Sequence, residues 1–497
     1  VDPLFEIGIE PAAKGARTTT QGLYRQLRAA IADGRLAVGV KLPPTRRAEV
    51  FFGVSRNTVA EAYSRLMSEG YIVSRRGAGT FVADRPPPVP ATSAPESTYR
   101  LNPFWLREDV GAAMNFWQDR DAPATPVLVD FRPALIDSRL FPHEAFRRVT
   151  AHQLRGLERK PPNLRSPQGN QGHFHLREAI ARHIAVTRAV VVGGGDILVT
   201  AGAQQGFDLL ARILVTPGET VVAVEDPGYP PLRVAFAAAG ARVVPVAVDD
   251  EGLVVGDLPP GVNVICVTPS HQFPLGMTMS PSRRQALAAF ARAHGAVIVE
   301  DDYDGEFRYD GAPLAALRTA DAADIVFYVG SFSKCLLSSL RLGFVVAPAW
   351  ALPALVAAKN AADWHCPVPL QKGVAAFIGE GLLDRHIRKM RMLYRRRRDV
   401  LTGLLERDFA QELTPVLSRY GMHVAAIADP SLDVEAAAVR VARQGVRLHT
   451  LKRYHLGRPA WQGLVFGLGT ADEAQIRDGL GVLREGLNVQ TRTSPWV

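Results

Sequence analysis

From about residue 126 the chain carries a series of short apolar runs that restricts its fold more than any other feature. Residues 197–200, 220–224, 243–248, 264–268, 297–299, 326–329 and 344–346 are rich in β-branched side chains and mostly lack polar alternation. Such runs suit strands buried on both faces of a sheet. Helical patterns lie between several of them; in 282–294, Leu287, Phe290 and Ala291 share one side. Strands alternating with helices predict a doubly wound α/β domain, its sheet covered by helices. From about residue 350 the pattern becomes helix-rich and then mixed, which predicts a smaller C-terminal lobe.

The whole chain has 497 residues, enough for two or three domains. Its 47% apolar and 22% charged residues are ordinary for globular protein. A break is visible after Asp84, where Pro86, Pro87, Pro88, Pro90 and Pro95 crowd one stretch. Prolines so close together disfavour helix and sheet and favour an extended tether. The expected division is therefore 1–84, a linker over 85–125, and 126–497. Within the linker, Phe104-Trp105 and Phe116-Trp117 are expected to dock on a folded surface. Cys266, Cys335 and Cys366 show no metal or redox spacing, and no basic-then-apolar leader or membrane-length apolar run occurs. A reduced, cytoplasmic setting is expected, with no metal.

Net charge is +9, and residues 1–85 hold 13 Lys/Arg against 8 Asp/Glu, so +5 of it lies in the first sixth. That surplus is compatible with a polyanionic partner but also serves solubility alone. The local pattern says more. Leu23, Leu27 and Ile31 mark an amphipathic helix. Thr45 is expected to cap a second helix that runs to Phe52 and ends at Gly53. Ser55 is expected to cap a third, with Val59, Tyr63 and Leu66 as its buried stripe. Two short helices around a glycine-containing turn make a helix-turn-helix, and the third helix opens on Arg56-Asn57-Thr58, residue types that reach bases or phosphates. Residues 71–73 and 80–82 then read as a hairpin whose tip carries Arg75, Arg76 and Gly79, a basic wing. The bland alternative is a small helical domain with a solvated arginine loop; helix, cap, recognition-type start and wing in order favour DNA.

In the rear part, three residue types at strand ends carry the chemistry. Lys334 lies in Gly330-Ser331-Phe332-Ser333-Lys334, after an apolar run. Thirty-three residues earlier another run ends in Glu300-Asp301-Asp302-Tyr303. An amine for a Schiff base, a carboxylate for a protonated pyridine nitrogen and a phenol for the ring oxygen are what pyridoxal phosphate requires. Alone, Lys334 would be an ordinary surface lysine and Asp301 a solvated strand end; the set gives them weight. Thr200-Ala201-Gly202-Ala203-Gln204 passes from a strand into a helix, a small-residue turn suited to an anion. Ser331, Ser333 and Arg341 would complete a phosphate cup, and Tyr229 would stack on the pyridine. The basic run 385–398 has Ile387, Met390 and Tyr394 at helical spacing and reads as a small-lobe helix with a solvated arginine face, with extra DNA contact as a secondary reading.

Two family resemblances rest on these residues. Leu42-Pro43-Pro44-Thr45-Arg46, Ser55-Arg56-Asn57-Thr58-Val59 and Gly77-Ala78-Gly79-Thr80-Phe81-Val82 resemble the winged helix of GntR-superfamily regulators, which implies Arg46 and Arg56 as DNA contacts, with Thr58 and Gly79 beside them. Residues 126–497 resemble the fold-type I, class I aminotransferases. Their particular form, with Thr268-Pro269-Ser270-His271-Gln272-Phe273-Pro274-Leu275-Gly276, Glu300-Asp301-Asp302-Tyr303-Asp304 and the Lys334 motif, is similar to the aminotransferase-like half of MocR/GabR-type regulators. This resemblance implies Lys334 as the Schiff-base lysine, Asp301 and Tyr303 as ring partners and Tyr229 as stacking residue. It also implies Ala203, Gln204, Ser331, Ser333 and Arg341 around the phosphate, and His271 or Gln272 near the ring oxygen.

Two departures bear on function. The late strand 462–467 has no arginine to grip a substrate carboxylate, leaving Arg447, Arg453 or Arg458 as candidates, and 164–169 has no tyrosine for a neighbouring subunit's phosphate. The favoured function is a homodimeric regulator that binds promoter DNA, associates with the nucleoid, and senses pyridoxal phosphate or an amine or amino-acid effector through the Schiff base at Lys334. The rivals are a genuine aminotransferase with an accessory DNA-binding domain, and a DNA-binding protein whose rear half holds no cofactor.

Overall fold

The computed structural model describes residues 20–84, 101–117, 125–159, 169–311, 314–457 and 459–491. The chain forms two compact units, Val1–Leu101 and Asn102–Val497. Among the described residues no helix is long and apolar enough to cross a membrane.

In the first unit, helix Thr20–Ala32 buries Leu23, Leu27 and Ala30. Helix Thr45–Phe52 follows the short strand β1 (Lys41–Leu42). Thr45 does not cap it: Pro44 holds the cap position and no side chain bonds there, so Thr45 is already the first helical residue. Gly53, at φ 62°, closes this helix in the left-handed conformation that glycine adopts without strain. Ser55 caps helix Arg56–Ser68 by accepting the Thr58 N–H. Val59, Ala62, Tyr63 and Leu66 are that helix's buried face, and Tyr63 Oη donates to Pro43 O at 3.1 Å. β2 (Ile72–Arg75) and β3 (Gly79–Val82) form an antiparallel hairpin, and β1 pairs with β3 to complete a three-stranded sheet.

The second unit opens with a short 3-10 turn, Pro103–Leu106, and helix Glu108–Met114. Its centre is an eight-stranded sheet in the order β5-β12-β11-β10-β9-β6-β7-β8. These strands are β5 (Ile197–Thr200), β6 (Val221–Asp226), β7 (Arg242–Asp249), β8 (Gly252–Leu253), β9 (Val264–Val267), β10 (Val297–Asp302), β11 (Val326–Ser331) and β12 (Gly343–Val346). β11, β10, β9, β6 and β7 run parallel; β12 is antiparallel to both its neighbours, and β8 folds back on β7. Every residue of β5, β9, β11 and β12 is buried, as their unbroken apolar character requires. Helices Ala203–Leu214 and Pro230–Ala238 pack against one face, where Phe207, Leu210 and Phe236 join Val222, Val299 and Val329.

The smaller lobe comprises β4 (Val129–Asp130), β13 (Leu413–Pro415), β14 (His423–Ala428), β15 (Val446–Arg447), β16 (His449–Thr450) and β17 (Gly463–Gly467). They form a four-stranded sheet, β13-β14-β17-β16, and the parallel pair β15-β4. Helix Leu382–Asp408 carries the basic run. Ile387, Met390 and Tyr394 are buried as expected, but the arginine face is not simply solvated. Arg397 is buried and donates to the Leu468 and Gly469 carbonyls, and Arg391 donates to Glu306 O. Helix Leu382–Asp408 is stitched to its surroundings by arginine–carbonyl bonds.

Candidate functional site

β10 ends in three consecutive buried carboxyl groups, which the sheet distributes alternately between its faces. Glu300 accepts the N–H groups of Leu317 and Arg318 at 2.9 and 3.1 Å. Asp302 pairs with Arg188 at 2.6 Å and accepts from Tyr328 Oη. Asp301, between them, has an Oδ1 with no hydrogen-bond partner. Burial, with the nearby Asp302 and Asp304, holds its carboxyl well above the ordinary carboxylate range. A buried, unsatisfied carboxyl is costly unless a cation or donor meets it.

Asp301 lines a cavity of about 430 Å³. Tyr303, Lys334, Ser331, Ser333, Arg341, Ala203, Gln204 and Tyr229 line it too, so the fold brings nine of the ten expected cofactor residues together. Parallel pairing sets Asp301 opposite Val329 and Asp302 opposite Gly330, and Lys334 follows where β11 ends. Lys334 Nζ donates to Ala134 O at 2.7 Å and lies 5.1 Å from the Trp117 ring centre. Burial lowers its ammonium to about 8, opposed by the charges of Asp304 and Asp301.

At another end of the cavity, helix Ala203–Leu214 begins after Gly202. Gly202 has φ +84°, and a Cβ there would lie 2.9 Å from Arg341 Nη2. At this positive φ glycine sits without strain, and the guanidinium lies against the turn, where Arg341 Nη2 donates to Ala201 O at 3.0 Å. Ser333 N–H and Ser331 Oγ–H make bonds within their own turn, to Ser331 Oγ at 3.1 Å and Ser333 Oγ at 2.9 Å. Helix N–H groups, two hydroxyls and a guanidinium are the donor set of a phosphate cup. Gln204 Nε2 donates to Pro231 O, and its buried Oε1 has no partner.

His271 is the expected residue that does not line the cavity. It stands behind Tyr303, whose Oη lies 2.8 Å from His271 Nδ1 and donates to His271 O at 3.0 Å. The same Nδ1 is 3.0 Å from Asp304 Oδ2, which also accepts the Met422 N–H. Gly421, at φ +94°, lets the imidazole pack on bare backbone: a Cβ there would fall 1.8 Å from His271 Cε1. His271, Asp304 and His423 hold their polar atoms within 4.8 Å of one another, and His423 Nε2 is 2.8 Å from Pro274 O. Burial pushes the His423 imidazole down to about 3, so it is neutral. Gln272 is tied up elsewhere, donating to Pro227 O and Phe273 O at 2.8 Å each. Glu225, pushed up to about 7 by burial, accepts from the Thr268 N–H at 3.1 Å.

Sequence reasoning missed Met114 and Trp117 on the cavity wall, Ala134 as the Lys334 acceptor, and Asp304 as the anchor of His271. Phe116-Trp117 was visible as a docking pair, but nothing local says which surface it meets. Ala134 adopts φ 63°, rare for a residue with a side chain, and no sequence signal marks it. The carboxylate-gripping candidates Arg447 and Arg453 do not line the cavity: Arg447 donates to Ala442 O and Thr125 O, and Arg453 to Phe116 O. Arg458 and residues 160–168 lie outside the described residues.

On the first unit, Arg46, Arg56, Asn57, Arg75, Arg76 and Gly79 are all exposed, and Thr58 is half-buried at the start of its helix. The Arg75 guanidinium lies 4.9 Å from the Phe81 ring centre, which stiffens the wing.

A GntR-type winged helix and an aminotransferase-type α/β unit on one chain define a DNA-binding regulator with an aminotransferase-like domain. Residues 19–82 match the family of bacterial regulatory proteins, gntR family, and residues 141–472 match aminotransferase class I and II. The probable rhizopine catabolism regulatory protein MocR of Rhizobium meliloti is 35% identical over 93% of this chain and 92% of its own. The pyridoxine biosynthesis transcriptional regulator PdxR of Corynebacterium glutamicum is 32% identical over 94% and 95%. Among solved structures, the α-aminoadipate aminotransferase LysN of Thermus thermophilus matches with a TM-score of 0.66 and 27% identity, covering 74% of this chain and 94% of its own. The chain belongs to the MocR-type transcriptional regulators of the GntR superfamily.

Proposed function

We propose that the second unit binds pyridoxal 5'-phosphate at Lys334 and that the protein regulates transcription in response to that cofactor or to an amine or amino acid that reacts with it. The observation that carries this reading is the unpartnered Asp301 Oδ1, buried in the same cavity as a lysine whose ammonium is lowered to about 8. The cavity is short of one cationic or donor group, and a protonated pyridine nitrogen supplies it. The names of relatives point the same way: one is a regulator of pyridoxine biosynthesis, and LysN was solved with a phosphopyridoxyl leucine.

Bound there, pyridoxal phosphate supplies an aldehyde carbon that exchanges reversibly between amines. Lys334 would be the attacking amine: with its ammonium lowered to about 8, roughly a tenth of it is neutral at pH 7, far more than an ordinary lysine. Asp301 would hold a proton on the ring nitrogen, Tyr303 Oη would hydrogen-bond the ring oxygen, and Tyr229 would supply the stacking face. The N–H groups opening helix Ala203–Leu214, with Gln204 beside them, and Ser331, Ser333 and Arg341 take the phosphate. His271 acts through Tyr303, fixed by Asp304.

Arg46, Arg56, Asn57, Thr58, Arg75, Arg76 and Gly79 meet promoter DNA, with Arg56-Asn57-Thr58 in the major groove and the wing on phosphates. The protein acts as a homodimer on paired half-sites in the bacterial cytoplasm, with 1–84 as the DNA reader, 126–497 as sensor, and the 85–125 stretch as a linker whose later part, from Asn102, belongs to the sensor's unit. Sensing is favoured over turnover because β17 carries no arginine and Arg447 and Arg453 are committed to backbone carbonyls. The test is a mobility shift on DNA upstream of the chain's own gene, with and without pyridoxal phosphate and a panel of amines. A cofactor-dependent shift is expected. Rapid conversion of an amino acid and an oxoacid, with DNA affinity indifferent to every ligand, would favour the enzyme instead.

A further inference from the structure

Met114 and Trp117 line one side of the Lys334 cavity, and they lie near the start of the second unit. The winged helix ends at β3, and helix Glu108–Met114 lies near the start of the second unit. On this helix Val110 and Ala113 are buried against Val234 of helix Pro230–Ala238, with Phe104 packed beside them. Met114 and Trp117 then line the cavity. Phe116 is buried between, its ring centre 5.5 Å from Tyr229 and 6.1 Å from Tyr454. Trp117 lies 6.2 Å from Tyr229 and 5.1 Å from Lys334 Nζ.

Two arginines of the body hold this stretch by its backbone. Arg453 Nη1 donates to Phe116 O at 2.8 Å and Arg132 Nη1 to Trp117 O at 3.0 Å. Arg132 is itself fixed by paired bonds to Asp130 at 2.9 and 2.6 Å. Carbonyls bound by guanidinium groups and rings wedged against Tyr229 give the stretch one defined seat. That seat shares Tyr229 and Lys334 with the ligand.

We infer that residues 108–117 are the element that reads occupancy of the Lys334 cavity and passes it toward the DNA-binding unit. This rests on the cavity being the cofactor and effector site. A ligand entering at Lys334 changes what Trp117 and Met114 touch, whereas the winged helix needs no contact with it. Coupling requires an element whose contacts differ between the loaded and empty states, and this stretch has such contacts and continues in sequence toward the DNA reader. The helix itself buries only Val110 and Ala113, so it is held less firmly than Phe116-Trp117, and ligand contacts at Met114 and Trp117 can shift it.

The test uses the full-length protein and DNA upstream of its own gene, with affinity measured with and without pyridoxal phosphate. In the wild type a change of about fivefold or more is expected, the lower end of ordinary coupling. Val110→Asp places a charge in the seat of the helix, away from the cavity. It is expected to take up cofactor at Lys334 and bind DNA as well as cofactor-free wild type, while the cofactor-dependent ratio falls to near one. Val110→Asp that holds cofactor and keeps the wild-type ratio overturns the inference. Hydrogen exchange on wild type gives an independent arm should that variant not fold: amides of 108–117 are expected to exchange more slowly with cofactor bound, and unchanged exchange overturns it. Wild type that takes up no cofactor, or whose DNA affinity ignores it, sinks the sensing reading itself.

Discussion

The two units place their chemistry in opposite environments. On the winged helix, Arg46, Arg56, Arg75 and Arg76 stand on the surface, while Leu27, Ala48, Val59, Leu66 and Ile72 make the core without them. In the aminotransferase-like unit, Glu225, Glu300, Asp301, Asp302 and Asp304 are all buried, and Asp301 lines the cavity. Exposed side chains cost folding little, so the first unit can change its DNA contacts without changing its fold. Buried carboxyl groups must each find a partner, so the second unit's fold and its ligand are bound together.

The sharpest break in that comparison is Lys334→Ala. Borohydride is expected to fix no cofactor on the protein, while operator affinity of the cofactor-free form stays within about twofold, as for independent sites. Proportional loss of DNA binding would refute the separation. In the wild type the rate at which cofactor-free protein takes up the cofactor, read by absorbance, is expected to rise about tenfold per pH unit and level off near 8, because only the neutral Lys334 amine attacks. A rise that continues to the ordinary lysine range would show that burial does not tune this amine.

Asp301→Asn tests the buried side more finely. Cofactor binding is expected to weaken by about 2 kcal/mol, roughly 30-fold, from losing a charge-assisted bond. The cofactor-free variant is expected to melt no lower than wild type, because it removes a buried carboxyl that has no partner. A large fall in cofactor-free stability would mean that Asp301 serves the fold rather than the ligand.

Arg56→Ala reverses the readouts. Operator affinity is expected to fall by about 1–3 kcal/mol, and cofactor uptake to stay unchanged. Replacing Arg75 or Arg76 by Ala is expected to weaken binding to all sequences alike and reduce the salt slope by about one each, the signature of phosphate contact.

The unequal burial also decides what could be read in advance. The strands were legible because β5, β9, β11 and β12 are buried throughout and therefore apolar throughout. Lys334, Asp301 and Tyr303 were legible because polar residues where apolar runs give out need a reason. His271 or Gln272 was expected near the ring oxygen; neither lines the cavity, and His271 stands behind Tyr303 because direction within a turn depends on Gly421 and Asp304, distant in sequence. Trp117 was legible as a docking residue and not as a cavity wall for the same reason. Thr45 was read as a cap from residue type alone; the preceding Pro44, with φ fixed, takes that position and moves the helix start by one residue.

Ser55→Ala is the smallest change and asks whether the first unit's reading surface is independent of its stability. Ser55 Oγ accepts the Thr58 N–H at 3.2 Å and lies 2.9 Å from Thr58 Oγ1, so one side chain both ends the turn and orders the helix start. Losing it leaves one backbone donor uncapped, at a cost of about 1 kcal/mol. The unfolding of residues 20–84 is expected to shift by that amount, with the transition of the second unit unmoved. Helix Arg56–Ser68 keeps its buried stripe of Val59, Ala62, Tyr63 and Leu66, which holds its direction without the cap. DNA affinity should therefore drop by less than for Arg56→Ala. An equal or larger drop would show that Ser55 fixes Arg56-Asn57-Thr58 for recognition, and that even the exposed unit ties its fold to its ligand.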